Sequence, residues 1–214
     1  KPPTADASPL PPADDADADA DGGKRAAAAG EPAGCVALLR RLAPVGAIGF
    51  AFATVRSSRS LLLPLRAHAL GLTKTQVGAA TALSYVLDAA TFPAGGYLSD
   101  KVGRKWAAVP SLVGMGAGLA LLGCGGGVTT LLVAAGTFGM GNGLSAGLVM
   151  TIGQDAAPPG AGRARFVGLY KNVVDSGQFA GPALVGLVAR LASLEYAALA
   201  AGALALGSAL LFAV

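Results

Sequence analysis

Most of the chain is apolar, and short polar loops divide it into stretches long enough to cross a bilayer, which takes about 20 helical residues. These stretches predict six membrane-spanning helices at residues 42–65, 77–98, 106–126, 128–153, 166–189 and 196–214. The sequence therefore predicts an all-α fold, a polytopic bundle of six transmembrane helices that occupies residues 35–214.

Two local patterns set helix boundaries. Thr73 and Gln76 have the spacing of a capping box, in which each side chain satisfies a free backbone N–H at a helix start. Residues 106–153 are apolar throughout and would make roughly 70 Å of helix, about twice a bilayer. The chain must therefore fold back, and the glycine-rich run at 123–127 is the predicted hinge.

Composition excludes a soluble domain. Charged residues make up 13% of the chain, against about 25% in ordinary soluble domains. Seven of the twelve acids lie in the first 31 residues, so the remainder carries even less charge than this figure indicates. The net charge of +4 does not indicate nucleic-acid binding, because the basic residues fall singly or in short clusters and form no basic face.

Residues 1–34 are rich in Ala, Pro and Asp and predict a disordered linker or tail. The two cysteines, Cys35 and Cys124, fall on opposite sides of the predicted membrane and have no metal-ligand spacing. The chain begins with Lys1 rather than Met, so we expect it to be a piece of a longer protein.

Basic loop residues predict the orientation, because they concentrate on the cytoplasmic side of membrane proteins. One side carries seven of them: Arg40, Arg41, Lys101, Arg104, Lys105, Arg163 and Arg165. The other side carries Arg66, Lys74 and Arg190. The tail and the loop after the second span are therefore predicted to be cytoplasmic.

The loop between spans two and three, residues 96–105, reads GYLSDKVGRK. It resembles the signature loop of the major facilitator superfamily, G-x-L-x-D-(R/K)-x-G-(R/K)-(R/K), at every specified position. Asp100 is expected to cap a neighbouring helix start. The resemblance implies that Arg104 pairs with Asp155 at the inner end of span four. The signature loop and gate then comprise Gly96, Asp100, Lys101, Gly103, Arg104, Lys105, Asp155 and Arg165.

A second motif resembles the antiporter signature of the same superfamily, G-x8-G-x3-G-P-x2-G-G. It comprises Gly168, Gly177, Gly181, Pro182 and Gly186, with Val185 in place of one glycine. The pair Gly177 and Gly181 also fits ordinary close helix packing. Exporters of the superfamily carry an arginine in the fourth helix of their first half, and span four here has none. The resemblance therefore implies the carboxy-terminal half of such a transporter.

Polar groups inside a membrane are costly and mark functional sites. The candidates for substrate or ion coupling are Arg56, Arg59, Asp88, Asn142 and Asp175. Arg56 is predicted to lie at the depth of Asp88 and to pair with it, either as a structural lock or in a substrate role. Asp175 has no basic residue at its own depth, with Lys171 one turn away, so it is the preferred proton carrier.

No arrangement typical of catalysis is present, so we expect no enzyme activity, no cofactor and no metal. The resemblance implies secondary active transport of a small solute by alternating access. Expected partners are the lipid bilayer, the solute, a proton and a complementary amino-terminal six-helix half, without nucleic acid. The alternative is a truncated membrane paralogue, or an assembly partner, that does not transport. Substrate, direction of transport and membrane are left open.

Overall fold

The computed structural model describes residues 32–145, 147–160 and 162–213. Their regular structure is α-helical, with helices at α1 (Pro32–Ala69), α2 (Lys74–Lys101), α3 (Arg104–Gly123), α4 (Val128–Leu144), α5 (Leu148–Ala156), α6 (Gly162–Leu191) and α7 (Leu194–Ala213). The predicted all-α fold is confirmed. The predicted tail lies outside the described residues except for residues 32–34, which begin α1.

The described residues from Arg40 onward form one compact unit, and the contacts below lie within it. Helix α3 is central, because it packs against both α4 and α7, while α2 packs on α4. The core combines small and medium apolar side chains, such as Leu112 and Ala134, with large aromatic ones, such as Phe138 and Tyr170, all of them fully buried. Small residues at helix contacts let backbones approach closely, which suits packing inside a membrane.

Both predicted local boundaries are present. At the start of α2, Gln76 N–H donates to the Thr73 hydroxyl and Thr73 N–H donates to the Gln76 side chain, completing the capping box. Between α3 and α4 the chain reverses through Gly125 and Gly126, whose φ angles of 78° and 113° favour glycine. The glycine-rich hinge is therefore confirmed, with α3 ending at Gly123 rather than at residue 126.

Among the described residues, three helical segments are long and apolar enough to cross a membrane: Ala37–Ala69, Arg104–Gly123 and Val128–Ala156. Helix α7 contributes a shorter apolar segment, Leu194–Leu210. Helices α2 and α6 are not in this set, although their 28 and 30 residues give about 42 and 45 Å of helix. The prediction that they also span the membrane therefore rests on their position between apolar helices and not on their own hydropathy.

Span four is not the continuous helix predicted over residues 128–153. Helix α4 ends at Leu144, and α5 begins at Leu148 after Gly147, which has a φ of 75° in the left-handed region. A non-glycine residue adopts that conformation at a cost, so Gly147 permits the interruption. The predicted span itself agrees with the apolar segment Val128–Ala156, but the interruption within it was not predicted, because glycines at 141, 143 and 147 look alike in sequence and have different roles.

Candidate functional site

Arg59 occupies a buried site between α1, α2 and α4. Its side chain is about 6% exposed, and one guanidinium nitrogen lies 3.7 Å from Asp88 Oδ2. A second nitrogen donates to the Ser84 hydroxyl at 2.9 Å. The guanidinium also lies over the ring of Tyr85, 4.3 Å from its centroid, and 5.0 Å from that of Phe138. A paired charge between two aromatic faces is held in a single position.

Arg56, one turn earlier on α1, donates hydrogen bonds to two neutral side chains. Its Nε donates to Asn142 Oδ1 at 2.7 Å, and Nη2 donates to the Ser145 hydroxyl at 2.9 Å. The Asn142 amide in turn donates to Asp88 Oδ2 at 2.5 Å. The predicted direct pair of Arg56 with Asp88 is therefore wrong, because Arg59 takes that place and Asn142 lies between Arg56 and the carboxylate. We call Arg56, Arg59, Asp88, Asn142 and Ser145 the central cluster.

Two glycines of α4 bring the central cluster together. A Cβ added at Gly139 would collide with the backbone of Ser84, and one added at Gly143 would collide with the carbonyl of Asp88. Without these glycines α2 would be displaced from α4, and Asn142 would no longer reach Asp88. Their spacing of four residues places both on the face of α4 that meets α2.

The signature loop forms a tight connection between α2 and α3. Asp100 and Lys101 lie in the last turn of α2, and Gly103 connects the helices with a φ of 116°. Gly96 is half-buried, whereas Asp100, Lys101 and Lys105 are exposed. The expected Asp100 cap is absent from α3, since its start at Gly103 has no side-chain cap.

Arg104 and Asp155 come together at this end of the bundle, and their side chains form an ion pair. Arg104 also donates to the carbonyl of Thr151 at 2.9 Å, so it joins α3 to α5 at two points. Both side chains are partly exposed, at 37% and 55%. Arg165, at the start of α6, is exposed. The proposed gating role of these residues stays a prediction.

Asp175 lies apart from the central cluster on α6. Lys171 Nζ contacts its Oδ2 at 2.8 Å, and the Gln178 amide donates to Oδ1 at 3.2 Å. The predicted basic neighbour one turn away, Lys171, thus reaches Asp175 through its flexible side chain and pairs with it. The pair is well exposed, with 53% of Lys171 and 39% of Asp175 accessible.

The glycines of the antiporter-like motif divide into two groups. A Cβ on Gly177 would lie 2.5 Å from the carbonyl oxygen of Phe50, and one on Gly181 would lie 2.5 Å from that of Thr54. These two glycines pack α6 closely against α1. Gly168 and Gly186 have open space instead, and Pro182 lies half-buried within the helix. Val185, in place of the missing glycine, is buried.

Several residues that make contacts in the site were not predicted from the sequence. Ser84 lies four residues before Asp88 on the same helical face, a spacing that could have identified it. Ser145 and Thr151 gave no comparable signal.

Arg66 of α1 and Glu195 of α7 also form an ion pair, at 3.0 Å, near the opposite end of the bundle from Arg104. The described residues hold no group of three or more His, Cys, Asp or Glu side chains placed to bind a metal.

A family model described as Major Facilitator Superfamily matches residues 33–214. A search of curated proteins finds no match. The matched region covers every described helix beyond the first residue of α1, and it includes both the signature loop and the central cluster. The chain therefore belongs to the Major Facilitator Superfamily, whose members transport solutes across membranes.

Proposed function

We propose that residues 35–214 form one half of a secondary transporter, which moves a small solute by alternating access and is driven by an ion gradient. A complementary six-helix half would complete the pathway. The observation that carries this proposal is the polar face of α6, because an uncovered polar helix face inside a membrane needs either water or another protein surface beside it.

Helix α6 has two faces of opposite character. One face is buried in the bundle and comprises Phe166, Tyr170, Val174, Gly177, Gly181 and Val185. The other carries Lys171, Asn172, Asp175 and Gln178, which are exposed or half-exposed. At 100° per residue these four lie within an arc of about 120°. Charged and amide groups in such an arc cannot face hydrocarbon at low cost, so we place the solute pathway or the second half against them.

The central cluster supports the same proposal. It joins three helices through two arginines, a carboxylate and an amide, all of which are costly to bury in a bilayer. A membrane paralogue without transport activity would have no use for such a cluster beyond packing. Apolar side chains of similar volume would pack the same three helices equally well.

Proton coupling is assigned by this proposal to Asp175 rather than to Asp88. Asp88 accepts a hydrogen bond from Asn142 and faces Arg59, and its side chain is 17% exposed. Asp175 has a single flexible cation as its partner and is more than twice as exposed. A carboxylate that exchanges protons with both sides of a membrane needs that access to water. The same proposal includes export as the direction of transport, because the antiporter-like motif implies it.

The test is access to the polar face from both sides of the membrane. In the intact transporter with its native cysteines replaced by serine, Gln178→Cys should react with an impermeant maleimide from outside and, in inverted vesicles, from inside. Leu210→Cys is the control, because Leu210 is 70% exposed on the apolar α7 and should face lipid. Reaction of Gln178→Cys from one side only, or from neither, would exclude alternating access at this face.

A further inference from the structure

The central cluster carries one more positive than negative charge. Its ionised side chains are Arg56, Arg59 and Asp88, and the carboxylate pairs directly with Arg59. Arg56 donates only to an amide oxygen and a hydroxyl oxygen, both neutral. Among the residues that the structure describes, no carboxylate lies within ion-pair distance of Arg56. The α6 pair of Lys171 and Asp175, which lies apart from the cluster, is balanced in itself.

An unpaired charge at this depth needs compensation. Removing a counter-charge from a buried ion pair is strongly destabilising, and isolated cations inside a membrane are rare for the same reason. Hydrogen bonds to Asn142 and Ser145 satisfy part of the Arg56 guanidinium but do not neutralise it. Asp88 is the one carboxylate of the central cluster and pairs directly with Arg59, so the cluster keeps one positive charge that a bound anion would neutralise.

The Arg56 guanidinium is placed to meet such a group, whereas that of Arg59 is not. Arg59 is enclosed by Asp88, Ser84 and two aromatic rings. Arg56 is only half-buried, and the structure uses its Nε and one Nη2 hydrogen bond. A guanidinium has five N–H donors in a planar fork that fits carboxylate and phosphate oxygens, so donors remain for an oxyanion.

The interruption of span four adds to the positive potential beside Arg56. Its partner Ser145 lies three residues before Leu148, where α5 begins. The start of α5 has no side-chain cap, and its first N–H, that of Leu148, donates to the Ser145 carbonyl at 3.1 Å. This helix start carries the positive end of the helix dipole. This helix end alone would not define a site, but it lies on the same segment that the unpaired guanidinium contacts.

We propose that the central cluster binds a small anionic solute, one that carries a carboxylate or phosphate group, and that Arg56 is the residue that contacts it. This inference rests on the proposed transport function and names the chemical class of its substrate. Arg59 and Asp88 then form a fixed support, and Asn142 links that support to the arginine that contacts the solute.

The experiment measures ligand binding to the intact transporter in detergent, by isothermal calorimetry and by thermal shift. The probes are pyruvate, succinate and inorganic phosphate as anions, glucose as a neutral solute and choline as a cation. At least one anion should bind, and glucose and choline should not. Arg56→Gln should weaken that binding by about 10- to 100-fold, the range for losing a charge-assisted hydrogen bond. Arg56→Lys, which keeps the charge, should retain part of it.

The matched control is Arg41→Gln, which removes an exposed arginine near the other end of the same helix and should leave anion binding unchanged. Succinate binding without phosphate binding would identify a carboxylate as the ligand group, and the reverse would identify a phosphate. Binding of glucose or choline alone would overturn the anion proposal and leave the transport proposal standing. Binding of none of the anions, or anion binding that Arg56→Gln does not weaken, would overturn it as well.

Discussion

Replacing Asp88 with asparagine keeps the shape of the side chain and removes the negative charge that lies 3.7 Å from the Arg59 guanidinium. Arg59 is 5% exposed, so its charge would remain buried without a partner. Breaking a buried ion pair in this way costs about 3–5 kcal/mol. Because Asp88 is 17% exposed and Ser84 still accepts from Arg59, we expect the lower end, about 3 kcal/mol of unfolding free energy.

A double-mutant cycle measures the coupling free energy between Arg59 and Asp88 separately from their other contacts. Arg59→Met should also destabilise, and the double variant Arg59→Met/Asp88→Asn should cost about 2 kcal/mol less than the sum of the two single changes. The assay is reversible unfolding of the intact protein in mixed micelles, followed by circular dichroism. The matched control is the exposed pair Lys171 and Asp175, where the coupling should stay below about 1 kcal/mol. Additive losses at Arg59 and Asp88, within about 0.5 kcal/mol, would refute the pairing.

Three further predictions follow from individual contacts. Gly177→Leu should destabilise by about 1–3 kcal/mol through overpacking against α1, whereas Gly186→Leu, which has open space, should leave the unfolding free energy unchanged. Arg104→Ala and Asp155→Ala should each impair transport, and the double variant should be little worse than either, while additive losses would show that the pair does not act as a unit. Asp175→Asn should abolish accumulation driven by a pH gradient but not downhill exchange, and unchanged accumulation would exclude Asp175 as the coupling site.

Features that depend on a few neighbouring residues could be predicted from the sequence. The capping box at Thr73 and the glycine reversal before α4 depend on a few neighbouring residues, so pattern alone located both. The motif resemblance correctly indicated that Arg104 and Asp155 would meet. The first two features depend on residues close in sequence, and the third follows from a family motif. None of them requires knowing how the helices are rotated relative to one another.

The central cluster could be predicted only in part. Counting helical rise places Arg56, Arg59 and Asp88 at similar depth, but depth does not determine the rotation of α1 or the rotamer of each arginine. The structure pairs Arg59 with Asp88 and inserts Asn142 before Arg56. The interruption at Gly147 was not predicted for a similar reason. From sequence alone, a glycine that permits close helix contact cannot be distinguished from one that ends a helix.

The central claim is that this chain is a six-span membrane domain, and α2 tests it best because α2 is not among the helices apolar enough to span on their own. Thr73 lies at its start and Ser99 near its end. In the cysteine-free intact protein, Thr73→Cys should react with an impermeant maleimide in sealed cells, and Ser99→Cys should react only after permeabilisation. Reaction of both positions in sealed cells, or of neither, would show that α2 does not cross the membrane.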